Sequence, residues 1–358
     1  MMTEFLAPEL KMFRDKFQHF LNENINLNAQ AMRSKSLEKG FYSISHQSML
    51  HDGPATALEM VIARESVASS GILDHSNIIG PDPGALMNCS DEIKNNYLDP
   101  MLKGDKKASF AFTENDFKNP TTGELIDSQV TINGKKSYVS RAVDSDFMLV
   151  VLNFKPDNSR FVAIVDSNSE GISLNQTFES LDGSTHSEVT FDNVQIPQNL
   201  LLKNVQAATQ NILQERLEMS AISVGLAIFT INELTANLLK PHRSGASLSD
   251  REGIRLKYSD LRINTYAARS MLYRTATLLE GYENVINEVT ATKIFCTETA
   301  FNVVDTAIQL SGGESLIVGN HLEAIFRKTR SMKLAGGSNE ILRLNISKGI
   351  FEFDSGIL

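Results

Sequence analysis

Apolar positions change their spacing twice along the 358 residues. From about residue 5 to 107 they recur at helical intervals. Leu6–Leu21 predicts one helix, and Ala55–Ser70 predicts a second with a stronger pattern. Asp91-Glu-Ile-Lys-Asn-Asn-Tyr-Leu-Asp-Pro100 predicts a short helix with acids in its first turn, ended by proline. From Ala108 to about Leu202 the period is two. Gln129–Ser140 reads as two short strands joined by Asn133-Gly134, a strong hairpin signal. Asp146–Phe154, Arg160–Asp166, Ile172–Phe178 and Glu188–Ile196 read as further strands between polar turns, enough for a small antiparallel barrel or sandwich.

From Asn204 onward the helical period returns. Leu217, Ala221, Val224, Ile228, Ile231 and Leu238 form one stripe. Ile254, Leu261, Ala268, Leu272 and Leu279 form another, and Val289, Cys296, Ala300, Val303, Ala307 and Leu310 a third. Long amphipathic helices with short polar joins predict an up-down four-helix bundle. The expected class is therefore α+β in three regions: an all-α N-terminal domain over 1–107, a β domain over 108–203 and a helical bundle over 204–358. Strand and helix do not alternate, and no G-x-G-x-x-G follows a strand, which argues against a nicotinamide-binding Rossmann domain.

Composition narrows the function classes. The chain is 42% hydrophobic and 22% charged with a net charge of −9, and no Lys/Arg block marks a phosphate track, so nucleic-acid binding is not expected. Cys89 and Cys296, the only cysteines, read as reduced thiols. Histidines at 19, 46, 51, 75, 186, 242 and 321 lack metal-ligand spacing, and no metal is expected. The apolar run Met219–Thr230 is short for a bilayer span, which needs about 20 residues. The N-terminus lacks a basic region followed by an apolar run, so no signal peptide and a cytoplasmic location are expected.

The candidate chemistry lies in segments that are weak singly and ordered together. They are Ser90–Asp105; Phe110-Ala-Phe112-Thr113-Glu114; Lys136-Ser-Tyr138-Val-Ser140; Gly183–Pro197; Gln309-Leu-Ser-Gly312-Gly313; and Gly336-Gly337-Ser338-Asn339-Glu340-Ile. In this order and spacing, from about residue 55 to 350, the chain resembles the acyl-CoA dehydrogenase family of flavoproteins. The resemblance implies the α–β–α fold of that family, FAD as cofactor and an acyl thioester as substrate, carried on CoA or an acyl-carrier protein. It further implies a homodimer or homotetramer, and an acceptor like electron-transfer flavoprotein.

Carried over residue by residue, Phe110, Phe112 and Thr113 would surround the pyrimidine side of the flavin. Tyr138, in place of the family's tryptophan, would lie against the ring, with Ser140 near N5. Taken alone, these positions also fit alternating strand residues. Gln309, Gly312 and Gly313 match a contact with a neighbouring subunit's FAD, although a plain helix C-cap would use the same glycines. Ser338 and Glu340 match positions near the adenosine end, and equally suit a helix N-cap and first turn. Arg243 is similar to a pyrophosphate-facing arginine, but Arg243-Ser-Gly-Ala246 replaces the family's Arg-x-x-Phe-Gly.

The resemblance also exposes a substitution. Many family members carry the catalytic glutamate where this chain has Gly336, which cannot take a proton. Branches resembling isovaleryl- and long-chain acyl-CoA dehydrogenases instead carry the base on the helix after the β domain, before an arginine. Glu215-Arg216 matches that place, so Glu215 is expected to be the base and Arg216 to fix its surroundings. Alternatively, Glu215 is a solvated first-turn acid favoured by the helix dipole. Glu218 is the second-choice acid. Asn115 replaces the family's proline after Thr113-Glu114, the following loop is shorter, and Trp is absent. A flavin oxidase or monooxygenase on the same scaffold, or a non-catalytic partner subunit, stand as the alternative functions.

Overall fold

In the computed structural model, residues 6–203, 205–242, 245–281, 284–353 and 358 are described. Their contacts divide into two compact units, residues 80–211 and residues 1–79 with 212–358.

The helical unit begins with α1 (Pro8–Asn24), α2 (Ala29–Glu38) and α3 (Ala57–Ser69). Helix α1 turns Phe13, Phe17, Phe20 and Leu21 into a core shared with Phe41, Ile62 and Val67. A reciprocal capping box of Thr56 and Glu59 starts α3. Helix α2 has no predicted counterpart, because its apolar residues are sparse and only Met32 and Ser36 are buried.

After the sheet unit, α6 (Val205–Leu238), α7 (Glu252–Gly281) and α8 (Ile286–Ser311) supply the three predicted stripes, and α9 (His321–Met332) and α10 (Asn339–Phe353) follow. Leu217, Ala221 and Val224 of α6 meet Ala268 and Leu272 of α7 and Val289 and Cys296 of α8 in one core. By length and composition α6 could cross a membrane, yet just over half of its apolar window is buried inside the fold, as in the central helix of a globular core.

Helix α3 packs directly on α6. A Cβ on Gly225 would fall 2.5 Å from the Cβ of Ala68 and 2.6 Å from the carbonyl of Glu65, so only glycine permits this approach. The N-terminal helices therefore share a unit with the C-terminal ones.

In the other unit, α4 (Asp91–Ile93), a π-helical turn (Lys94–Leu98) and α5 (Asp99–Lys103) form one continuous helical segment. Pro100 sits in the first turn of α5 rather than ending the helix, which Gly104 closes with a φ of +79°. Ile93, Tyr97, Leu98 and Met101 bury against Phe147, Leu149, Val162 and Ile164. Residues 80–107 thus belong with the strands, and the compact unit starts at Gly80 rather than Ala108.

The strands are β1 (Ala108–Ala111), β2 (Thr122–Ile126), β3 (Gln129–Ser140), β4 (Phe147–Phe154), β5 (Ser159–Asp166), β6 (Ile172–Glu179), β7 (Thr185–Pro197) and β8 (Leu201–Leu202). Their sheet runs β6-β7-β3-β2-β4-β5-β8, with β1 beside β4. Most pairings are antiparallel as expected, but β1 and β2 each run parallel to β4, so the sheet is mixed.

The Asn133-Gly134 hairpin is not formed. The chain turns two residues after β2, at Asp127 and Ser128, both with positive φ, and β3 continues through Asn133-Gly134 as a single strand. Gly134 marks a register shift against β7. A Cβ there would lie 2.5 Å from the Cα of Thr121, at a φ of +147°. Glycine at this place serves a bulge and a close approach.

Candidate active site

The sheet unit gathers Phe110, Phe112, Thr113, Tyr138 and Ser140 at the end of β3 and beside it. Phe110 and Phe112 stack with centroids 5.8 Å apart and planes 20° apart. The segment after β1 is tied down by Lys136, whose side chain is fully buried. Its ammonium donates to the Phe112 carbonyl at 3.1 Å and to the Glu114 carboxylate at 2.5 Å. The other Glu114 oxygen accepts from the Thr121 amide and hydroxyl, and the Thr113 carbonyl accepts from the Ser137 amide at 2.9 Å. Burial pushes the Lys136 amine below its usual range, opposed by Glu114.

A second register shift in β3, between Lys136 and Val139, re-aims Tyr138. Its φ is +55°, unfavourable for a bulky residue, and its ring is 67% exposed while meeting Phe178 edge-on at 5.9 Å. A strained residue that presents an aromatic face outward is a mark of a ligand platform. Ser140 is exposed and hydrogen-bonds to Nδ1 of His186 at 3.1 Å. His186 in turn stacks on Phe178 with centroids 5.7 Å apart. Sequence reasoning singled out neither His186 nor Phe178. Only their alternation on β6 and β7 could have placed them beside Ser140.

In the helical unit, Arg216 joins the two places proposed for the base. From α6, its Nε donates to the Gly336 carbonyl at 3.0 Å, and one terminal nitrogen reaches the Thr290 hydroxyl at 3.3 Å. Gly336 and Gly337 both have positive φ and form the turn into α10. From α8, the fully buried Lys293 holds the next carbonyl, that of Gly337, at 2.9 Å, and Asn339 Oδ1 at 2.8 Å. Burial and then the charge of Arg216 push Lys293 down to about 8. Lys293 and Asn339 also escaped sequence reasoning, since a single polar residue on a helix stripe gives no signal of what it will hold.

Glu215 and Glu218 differ in their commitments. Glu218 is bound by Arg64 Nε at 2.7 Å and by Gln214 at 3.0 Å. Glu215 makes no hydrogen bond or ion pair among the described residues. More than a third of its surface is open, yet burial is the first cause raising its carboxyl, followed by the charge of Glu218 and opposed by Arg216. The two observations agree for a side chain that solvent can touch but that dense protein keeps from bulk water, and the direction of the shift rests on both burial and a like charge.

The remaining candidates are distributed along the helices. Gln309, Gly312 and Gly313 are exposed at the end of α8, where Gly312 has a φ of +83° and its amide closes the last turn on Ile308. Ser338 Oγ accepts from the Ile341 amide at 3.3 Å, and Glu340 is exposed in the first turn of α10. Both local capping roles are therefore real. Arg243 lies outside the described residues. No cluster of three or more metal-ligating side chains occurs among the described residues.

A family model described as the acyl-CoA dehydrogenase C-terminal domain matches residues 205–351. Subunit CarC of the caffeyl-CoA reductase–Etf complex of Acetobacterium woodii is 25% identical over 339 residues, covering 89% of each chain. An acyl-CoA dehydrogenase of Bacillus subtilis is 27% identical over 301 residues, 80% of this chain and 79% of that protein. A probable acyl-CoA dehydrogenase of Mycobacterium abscessus has the same fold, with a TM-score of 0.84 at 19% identity over 96% of this chain and 99% of that one. A glutaryl-CoA dehydrogenase of Mycobacterium smegmatis, solved with FADH2, gives a TM-score of 0.83 at 17% identity, over 98% and 96% of the two chains. The chain is thus similar to acyl-CoA dehydrogenases in its C-terminal helices, in sequence over most of its length, and in its fold.

Proposed function

We propose that the chain is an FAD-dependent dehydrogenase of acyl thioesters in which Glu215 removes the α-proton. The observation that carries this reading is the contrast on α6. Glu218 is paired with Arg64, whereas Glu215 stands uncommitted beside Arg216, which is anchored on Gly336. Burial and the Glu218 charge both raise the Glu215 carboxyl, as a base working near neutral pH requires.

The residues on the sheet unit fit an isoalloxazine. Tyr138 offers an exposed aromatic face, Phe110 and Phe112 a stacked apolar wall, and Thr113 and Ser140 hydroxyls at a polar edge. FAD bound there would accept the hydride from the substrate's β-carbon. Lys136 and Glu114 hold the Phe112–Thr113 backbone in place, and the bulge in β3 aims Tyr138. Gln309, Gly312 and Gly313 are proposed to contact the FAD of a second subunit, Ser338 and Glu340 the adenosine end. Because glycine at 312 and 313 leaves open space, backbone amides there can approach an anionic group closely.

Proton transfer to Glu215 and hydride transfer are reversible, so the same groups could saturate an enoyl thioester. The relative CarC is named as a subunit of a reductase–Etf complex, which supports an electron-transfer flavoprotein-like partner here. The thioester handle is CoA or a carrier-protein arm, and the assembly a dimer or tetramer, to be checked by light scattering.

The test is anaerobic mixing of the yellow holoenzyme with a panel of acyl thioesters. Flavin bleaching is expected, and Glu215→Gln should slow it by roughly 10²–10⁴-fold while FAD stays bound. Equal bleaching by the variant would remove Glu215 from the role. A flavin that turns over only with oxygen would point to the oxidase alternative, and a protein that takes up no FAD to the non-catalytic one.

A further inference from the structure

His186 lies in a hydrogen-bonded file that ends on the hydroxyl assigned to the cofactor's reactive edge. Asp182 Oδ1 accepts from Ser184 Oγ at 2.6 Å, Ser184 Oγ meets His186 Nε2 at 3.1 Å, and His186 Nδ1 meets Ser140 Oγ at 3.1 Å. Register sets this alignment, since Ser140 of β3 and Phe178 of β6 each stand directly opposite His186 of β7. Stacking on Phe178 fixes the plane of the ring.

The direction of each bond follows from proton counting. An ionised carboxylate only accepts, so Ser184 spends its one hydroxyl proton on Asp182. Ser184 can then only accept from the ring, which places a proton on Nε2. In a neutral imidazole Nδ1 is left as an acceptor, and Ser140 must donate to it. The outer side of Ser140 then carries lone pairs alone. Adding a proton to Nδ1 reverses the last bond: the ring donates to Ser140, whose own proton is released to point outward.

We propose that His186 is a positioning residue that sets whether Ser140 offers a hydrogen-bond acceptor or a donor to the cofactor. This rests on the placement of Ser140 at flavin N5 proposed above. An N5 carrying only a lone pair is matched by the imidazolium, and an N5 bearing hydrogen by the neutral ring. Cofactor oxidation state and ring protonation are therefore linked. Reduction therefore favours the neutral ring, and a proton leaves His186 for solvent as the cofactor is reduced. The other titratable or charged groups on the surrounding elements are Lys135, Lys136 and Tyr138 on β3, Arg141 just after it, Asp144 in the following turn, Glu179 on β6, and Glu188 and Asp192 on β7.

The experiment measures the midpoint potential of the bound flavin against pH in the holoenzyme, His186→Asn and Ser140→Ala. In the wild type, reduction should take up one proton fewer over part of the pH range, seen as a flattened segment that both variants lose. A parallel 15N spectrum of the histidine-labelled holoenzyme should show the neutral His186 ring protonated at Nε2. A flattened segment that persists in both variants, a wild type without one, or a ring protonated at Nδ1 overturns the inference. These outcomes are separable from failure of the functional reading, because Glu215→Gln should retain the flattened segment while losing bleaching. A chain that binds no FAD refutes both.

Discussion

Replacing Lys136 with methionine keeps the apolar stem and removes the ammonium. In the structure that ammonium is buried and joins the Phe112 carbonyl to Glu114, whose second oxygen is held by Thr121. Truncating one partner of a buried ion pair strands the other, at a cost of roughly 3–5 kcal/mol. Because Glu114 is 14% exposed and keeps its Thr121 donors, the lower end of that range applies. Equilibrium urea unfolding followed by circular dichroism should show a fall of about 3 kcal/mol.

Replacing both partners, as Glu114→Met with Lys136→Met, should recover more than half of the loss. An apolar pair needs no desolvation of charge, and such swaps are often neutral. Flavin affinity should follow a different order, because the Phe112 carbonyl loses its tie in either variant. Both should retain FAD less well than the wild type on dilution. If Lys136→Met unfolds within 0.5 kcal/mol of wild type, or the double variant is as unstable as the single, the buried tie does not carry the load assigned to it.

Two further perturbations test the two units separately. Glu218→Gln removes a charge that raises the Glu215 carboxyl, so the acidic limb of the kcat/KM profile should move to lower pH. A limb that stays in place or moves upward would contradict the coupling. Gly134→Ala drives a Cβ against Thr121, the same residue that braces Glu114, and should cost roughly 2–4 kcal/mol in urea unfolding, with weaker FAD retention. A stable Gly134→Ala variant would mean that the bulge relaxes without strain.

The parts of this fold that could be read from sequence are those set by local period. Alternating residues of β7 bury one face, β4 and β5 are continuous apolar runs buried on both faces, and the stripes of α6, α7 and α8 meet in a common core, because each apolar surface must be covered. Non-local contacts were not legible. Asn133-Gly134 has the composition of a turn, but β7 and Thr121 hold it extended as a bulge. Pro100 has the composition of a helix stop, yet a π-helical turn precedes it and the helix continues to Lys103. The helices of residues 91–103 join the sheet because their apolar face covers Phe147 and Ile164. No period in the chain records that choice.

The same distinction applies to the candidate site. A glycine at 336 and a Glu-Arg pair at 215–216 are separated by 120 residues, and sequence could link them only by resemblance. The structure links them through one guanidinium. Arg216 cannot reach the Gly336 carbonyl without placing Glu215 one residue away on α6, and a side chain at Gly336 would need a φ of +64° and would press on Met219 at 3.3 Å. The turn that lacks a carboxylate is thus fastened to the helix turn that has one. Lys293 fastens the next carbonyl, close enough to Arg216 for their repulsion to lower its proton affinity. A buried and a half-buried cation on consecutive carbonyls are costly, and they are tolerable here because Asn339, Thr290 and those carbonyls accept their protons. Fixing the Gly336–Gly337 turn in this way leaves Glu215 as the uncommitted carboxylate of the α6 pair, which is the arrangement a relocated base requires.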